Sequence, residues 1–170
     1  MKCLGFRNLF YVVGNFMTQS SEISFELFDG GDLIRIEPLY VIKYNSALDW
    51  DKNWINTRVT VKGGAFTGQF MADFTTMDFE LLKRDIKKLD EDFSGIGKFE
   101  PLEGQLILHI KGDGLGHFEV NCTAVDQPGI GGKLSFFLTF DQTELKRLIS
   151  ELDKITKLFP ITGDMTIKNE

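Results

Sequence analysis

The amino-acid sequence predicts an α+β domain, mostly antiparallel β-sheet with two amphipathic helices, arranged as two pseudo-repeated halves of four strands and a helix. Three observations predict it. Short apolar runs alternate with polar residues and are separated by Gly and Asp turns. Two stretches carry apolar residues at helical spacing behind capping residues. Asp78 to Asp90 (DFELLKRDIKKLD) and Asp141 to Asp153 (DQTELKRLISELD) are identical at seven of thirteen positions at an offset of 63 residues, which also superposes the preceding hairpins.

The elements follow in order. Ile23, Phe25 and Leu27 share one side of a strand, and Asp29-Gly30-Gly31-Asp32 turns the chain into a second strand from Leu33 to Tyr44. After a polar connection, Asn45 to Lys52, residues Trp54 to Lys62 alternate with Val59 and Val61 on one face. Gly63-Gly64 reads as a two-residue turn pairing Lys62 with Ala65, Val61 with Phe66 and Val59 with Gly68, and Phe66, Phe70 and Phe74 continue on the core side. Thr75 and Asp78 resemble a capping box, and Leu82, Ile86, Leu89 and Phe93 define a helix from about Met77 to Asp92. Ser94-Gly95-Ile96-Gly97 breaks that helix. Strands follow around Lys98 to Glu100 and Gly104 to Lys111, then Leu115 to Val125 and Lys133 to Phe140, the last two joined by Asp126-Gln127-Pro128-Gly129, where Pro then Gly suits a type II turn. Asp141, with Glu144 three residues on, caps a final helix whose buried stripe is Leu145, Leu148, Ile149, Leu152 and Ile155.

Bulk properties narrow the function classes. A chain of 170 residues is one domain's worth, and at that size folding hides about 70% of the unfolded surface. Sixteen Phe supply much of the core. With 19 basic and 25 acidic residues the net charge is −6. No cationic cluster exceeds the short face of Lys83, Arg84, Lys87 and Lys88, so direct nucleic-acid binding is not expected. An acidic surface suits a basic protein partner. Two cysteines, Cys3 and Cys122, are too few and too isolated for a disulfide framework or a zinc site, which fits a reducing cytoplasm. No segment reaches the length needed to cross a bilayer. The apolar stretch from Met1 to Met17 is interrupted by Gly14 and Asn15 and lacks Ala-x-Ala cleavage chemistry, so residues 1–20 read as an N-terminal segment of uncertain role and not a signal peptide. Residues 21–160 are the single domain, and 161–170 a C-terminal strand or tail.

Few residues invite chemistry. Keeping the apolar faces of the two strands around Leu108 and Val120 together requires a loop at Gly112-Asp113-Gly114, which sets His109 opposite His117 on the outer face. Zinc needs three or four ligands, and Glu119 and Asp113 are the carboxylates nearby, so a surface pair without metal is the preferred reading. Cys122 faces inward, away from both histidines, as core filling. The glycine run Gly112 to Gly116 opens no helix and is a hairpin turn, not a phosphate loop. The acidic spots at Asp29 to Asp32 and Asp49 to Asp51 lack an EF-hand pattern and read as solvated turns. In Asn45 to Trp54, Trp50 beside acidic groups is the surface candidate for protein contact, while Trp54 starts a core strand.

Phe99-Glu100-Pro101-Leu102-Glu103-Gly104-Gln105-Leu106, followed by Gly112-Asp113-Gly114-Leu115-Gly116-His117, Asp126-Gln127-Pro128-Gly129 and Asp141-Gln142, resembles the WapI-type family of bacterial immunity proteins over roughly Trp54 to Ile155. The resemblance implies a cytoplasmic antitoxin that binds the C-terminal domain of a contact-dependent or polymorphic toxin and blocks it, with no enzymatic activity and no cofactor or metal. A cationic nuclease domain is the partner that the charge suits. The candidates for toxin contact are Asp49, Trp50, Asp51, Asp113, His117 and Asp126. Two other readings stand beside it: a small-molecule or metal-binding enzyme using the His109 and His117 face, and a structural interaction module. Oligomeric state is left open.

Overall fold

Period-two alternation is realised as eight strands in a computed structural model that describes residues 23–43 and 48–164. Residues 1–22 with Cys3, residues 44–47 with Tyr44 and the start of the polar connection, and the C-terminal six residues lie outside the described residues. The first half consists of β1 (Phe25–Asp29), β2 (Asp32–Val41), β3 (Trp54–Gly63), β4 (Phe66–Thr75) and α1 (Thr76–Asp92). The second half repeats the plan with β5 (Ser94–Phe99), β6 (Leu106–Asp113), β7 (His117–Val125), β8 (Lys133–Asp141) and α2 (Leu145–Leu158). Each set of four strands is an antiparallel meander in sequence order. Both sheets and both helices share one core, running from Phe25 and Ile36 through Phe79 and Ile86 to Val120 and Leu152. Phe74 meets Phe79 and Phe99 edge-on and those two meet at a tilt, with centroids 5.0 to 6.3 Å apart.

The cap of α1 is as the sequence predicts, whereas Asp141 caps a short 3-10 turn and not α2 itself. The Thr75 hydroxyl accepts from the Asp78 N–H at 3.3 Å while the Asp78 carboxylate accepts from the Thr75 N–H at 2.7 Å, and α1 accordingly begins at Thr76. Burial pushes the Asp78 carboxyl up, against the lowering effect of those bonds. Phe93, in the left-handed conformation at φ 59°, ends α1. Ser94 to Gly97 both break the helix and open β5. The Asp141 side chain accepts from the Thr143 N–H and caps a 3-10 turn, Gln142–Glu144, that leads into α2. At Gln127-Pro128-Gly129-Ile130 the Ile130 N–H reaches the Gln127 carbonyl with Gly129 at φ 80°, the expected Pro-Gly turn.

Two hairpin registers differ from expectation. Gly63 pairs with Phe66 and Val61 with Gly68, so the turn is Gly64-Ala65 and not Gly63-Gly64. Phe66 is thereby carried to the sheet's end and left 70% exposed, off the core. In the second hairpin Gly112 pairs with Phe118 and His109 with Asn121, not with His117; the loop is Gly114-Leu115-Gly116. Both slips are even, so every side chain keeps its face. The repeat also aligns differently along the helices. Thr75 and Asp141 are the equivalent caps, which matches Phe79, Leu82, Ile86 and Leu89 to Leu145, Leu148, Leu152 and Ile155, all buried. The 63-residue offset is kept between β3 and β7, where Ile55, Val59 and Val61 match Phe118, Cys122 and Ala124. A longer β7–β8 loop moves the helix out of that phase.

Each helix closes the open edge of the other half's sheet. The Asp85 carboxylate on α1 accepts the Lys98 N–H of β5 at 3.2 Å. Its equivalent on α2, Glu151, accepts the Glu26 N–H of β1 at 3.0 Å, and Arg147 donates to the Glu26 carbonyl at 3.1 Å. These contacts satisfy backbone groups that an edge strand would otherwise offer to another chain.

Candidate functional site

The β6–β7 hairpin is built glycine by glycine. A Cβ on Gly112 would lie 2.2 Å from the Phe93 carbonyl oxygen, so the helix end approaches only because that residue is glycine. The same carbonyl accepts the Gly114 N–H at 2.8 Å. Gly114 and Gly116 take φ of 78° and 92°. Between them the chain turns tightly enough for Asp113 Oδ1 to accept the Leu115 N–H at 2.7 Å and the His117 N–H at 3.1 Å. Asp113 Oδ2 lies 3.1 Å from His117 Nδ1. Those amide bonds, first Leu115 and then His117, hold the Asp113 carboxyl below the usual carboxylate range.

His117 also faces Asp141, its register partner on β8. Thr143 donates to Asp141 Oδ1 through its hydroxyl and its N–H, and these bonds keep that carboxyl low as well. Asp29, at the end of β1, crosses to β8: its Oδ2 accepts the Thr139 hydroxyl at 2.8 Å and the Thr139 N–H at 3.1 Å, which lowers it in turn. The result is an open groove of about 680 Å³ lined by Asp29, Lys111, Asp113, His117, Glu119 and Asp141, where the end of the first half meets the outer face of the second sheet.

Of the predicted contact residues, the fold brings Asp113 and His117 together and leaves the others elsewhere. Asp49, Trp50 and Asp51 begin the 3-10 turn Trp50–Asn53, and Asp49 serves the C-terminal segment. The Asp49 carboxylate binds Lys52 Nζ at 2.6 Å and accepts the Asp164 N–H at 3.2 Å, and the Lys52 bond is the larger cause of its lowered pKa. Buried Asn53 clamps Thr162 through both its N–H and its carbonyl. Trp50 is 45% exposed and Asp51 half-buried. Asp126 stands at the opposite end of β7 from His117, opening the β7–β8 loop, with its carbonyl 3.4 Å from Gln105 Nε2.

His109 is engaged separately, with Nε2 2.7 Å from Glu100 Oε1. Each imidazole thus has its own carboxylate, and the facing pair on which a two-histidine site depends is not formed. Cys122 is buried between strands as expected, and burial pushes its thiol up to about 12. Among the described residues no group of three or more His, Cys, Asp or Glu converges as metal ligands. Glu119 is legible from the sequence as a carboxylate near the histidines; Asp29 and Asp141 escape that reading, because the first looks like a turn residue, the second like a cap, and nothing local brings β1 to β8.

A family model described as the immunity protein WapI-like family matches residues 25–160. The chain belongs to the WapI-like immunity protein family. The match spans β1 through α2 and therefore both halves, more than the stretch on which the sequence resemblance rests. No curated protein matches this WapI-like chain. Among solved structures, the crystal structure of WHY1 from Arabidopsis thaliana is similar at 14% identity and a TM-score of 0.46, covering 82% of this chain and 85% of that one. No helix among the described residues is long and apolar enough to cross a membrane.

Proposed function

We propose that this WapI-like protein neutralises a toxin domain encoded with it by binding that domain one to one in the cytoplasm, without catalysing a reaction. The observation that carries the reading is the family match over both halves. The immunity unit is residues 21–160, with 1–20 and 161–170 flanking it. A nuclease domain is the partner we favour, because a nucleic-acid-binding surface is cationic and the net charge of −6 complements it. Of the six candidate contact residues, Asp113 and His117 are the ones we assign to the toxin. Asp49 is occupied with the C-terminal segment and Asp126 with its own loop, while Trp50 and Asp51 stand on the 3-10 turn away from the groove. The rival enzymatic reading loses its geometric premise with the separation of His109 from His117.

Co-expression tests the proposal. The toxin domain encoded beside this gene should arrest growth when expressed alone, be tolerated when this chain is co-expressed, and co-purify with it in equal amounts. Continued growth arrest with no complex on size exclusion would overturn the proposal.

A further inference from the structure

Several carboxylates elsewhere on this surface are answered by cations of the chain itself. Glu26 pairs with Arg35, Glu80 with Lys83, Asp90 with Lys146, and Glu144 and Glu151 with Arg147. The groove beside His117 differs. Asp29 and Asp141 are held ionised by the hydroxyl and N–H of Thr139 and of Thr143, neutral donors that fix each carboxylate through one oxygen. Asp113 is held chiefly by two backbone N–H groups and Glu119 by the Asn121 amide. Among the described residues, Lys111 and His117 are the basic side chains in the lining. Four carboxylates against one lysine and one histidine leave the groove anionic.

The groove opens on a sheet face that no helix covers. Along β5 to β8 the cross-strand rows read Ile96, Lys111, Glu119, Thr139 and, next to it, Lys98, His109, Asn121, Phe137. Every one of these side chains is exposed. Ile96, Leu115 and Phe137, at 55%, 80% and 65% exposure, stand around the charges as large apolar groups. Apolar anchors beside fixed, uncompensated charge form the pattern of an interface hot spot.

We propose that this face is the docking surface for the toxin and that the groove receives arginine or lysine side chains from a basic loop of it. The inference rests on the toxin-binding reading above and adds the place and the chemistry. A cationic side chain would meet carboxylates already ionised and oriented, so it need not reorganise them on arrival, and a charge-assisted bond to a fixed carboxylate exceeds one between neutral groups. Ile96, Leu115 and Phe137 would lie against apolar surface flanking the basic loop.

Calorimetric titration of the full chain with a catalytically inactive form of the adjacent toxin domain, at low and physiological salt, provides the test. Asp29→Asn with Asp141→Asn keeps the acceptors for Thr139 and Thr143 while removing two charges, and Glu119→Lys reverses a charge whose partner in the chain is an amide. Each should weaken binding by roughly tenfold or more and flatten its salt dependence. Lys111→Glu makes the groove more anionic and should tighten binding, a gain that misfolding cannot produce. If the wild-type chain does not bind the toxin domain, the toxin reading falls and this surface with it. If the wild-type chain binds and the acidic-residue variants bind with unchanged affinity and salt dependence, the groove alone is wrong. Weakening by Lys111→Glu would likewise overturn it.

Discussion

The first half closes its last hairpin with Trp54 opposite Thr75, whereas the second closes with His117 opposite Asp141. Both pairs stand where a meander feeds its helix. In the first, Thr75 is buried within a capping box and the partner is a half-buried indole. In the second, both residues are exposed, the cap belongs to a 3-10 turn, and the carboxylate faces open space beside three others. The aromatic packing diverges likewise. Phe74 is fully buried against Phe79 and Phe99, while its equivalent Phe140 is only half-buried, stacked on Phe118 at 4.9 Å. At this junction the first unit fills core while its copy exposes charge. A repeat allows this because its second copy inherits a framework that need not also be optimised for burial.

The largest expected effect breaks the comparison at the aromatics. Phe74→Ala should cost about 3–5 kcal/mol of stability in urea unfolding, as for other large core truncations, and Phe140→Ala distinctly less. Equal losses would mean that the halves are packed alike. Next come the exchanged edge contacts. Asp85→Ala and Glu151→Ala each remove the acceptor of an edge-strand N–H that water can reach and should cost about 0.5–1.5 kcal/mol, and hydrogen exchange should quicken at Lys98 in the first variant and at Glu26 in the second. Acceleration at neither amide would dissolve the equivalence of the two helices. Thr75→Ala, which removes a complete capping box, should cost about 1 kcal/mol, and comparison with Asp141→Ala, read by thermal melts, ranks the two caps.

Acid sharpens the contrast further. Asp29, Asp113 and Asp141 are lowered in the folded state, so their stabilisation is present above the unfolded carboxylate value and is lost as pH falls through their folded values. Asp78 is raised by burial and runs the other way, favouring the fold at low pH and losing that contribution as pH rises from its unfolded to its folded value. An acid titration by circular dichroism should therefore be shallower for Asp29→Asn with Asp141→Asn than for the unaltered chain. An identical profile would deny those carboxylates any share in acid unfolding. Smallest in its effect on the fold is the thiol: in a Cys3→Ser background, Cys122 should resist iodoacetamide at pH 8 until the protein is unfolded, since its thiolate is suppressed. Rapid native labelling, read by mass spectrometry, would contradict its burial.

Much of this architecture is legible in the chain because its signals are local. Capping at Thr75 and Asp141, the Pro128-Gly129 turn, the stripes of both helices and the inward faces of β1, β3, β4, β6 and β7 follow from the nearest few residues. What decides strand register is less local. Alternation specifies which face a side chain takes, and an even slip preserves it, so the expected pairings around Gly63 and Gly112 satisfied the hydrophobic pattern as well as the true ones do. The choice fell to backbone contacts remote in sequence: the Phe93 carbonyl over Gly112, the Gly116 carbonyl taking the Gln142 N–H, and Phe136 packed against Gly63. The groove depends on the same kind of closure. Asp29 and Thr139 belong to different halves, and only the docking of β1 beside β8 brings the Asp29 carboxylate to the rim beside His117. The sequence by itself therefore determined the elements, their caps and their faces, since each is set within a turn or a strand of its own neighbours. Tertiary structure alone decided the registers, the exchange of helices between sheet edges and the charged groove, since each requires chain segments whose meeting no local preference encodes.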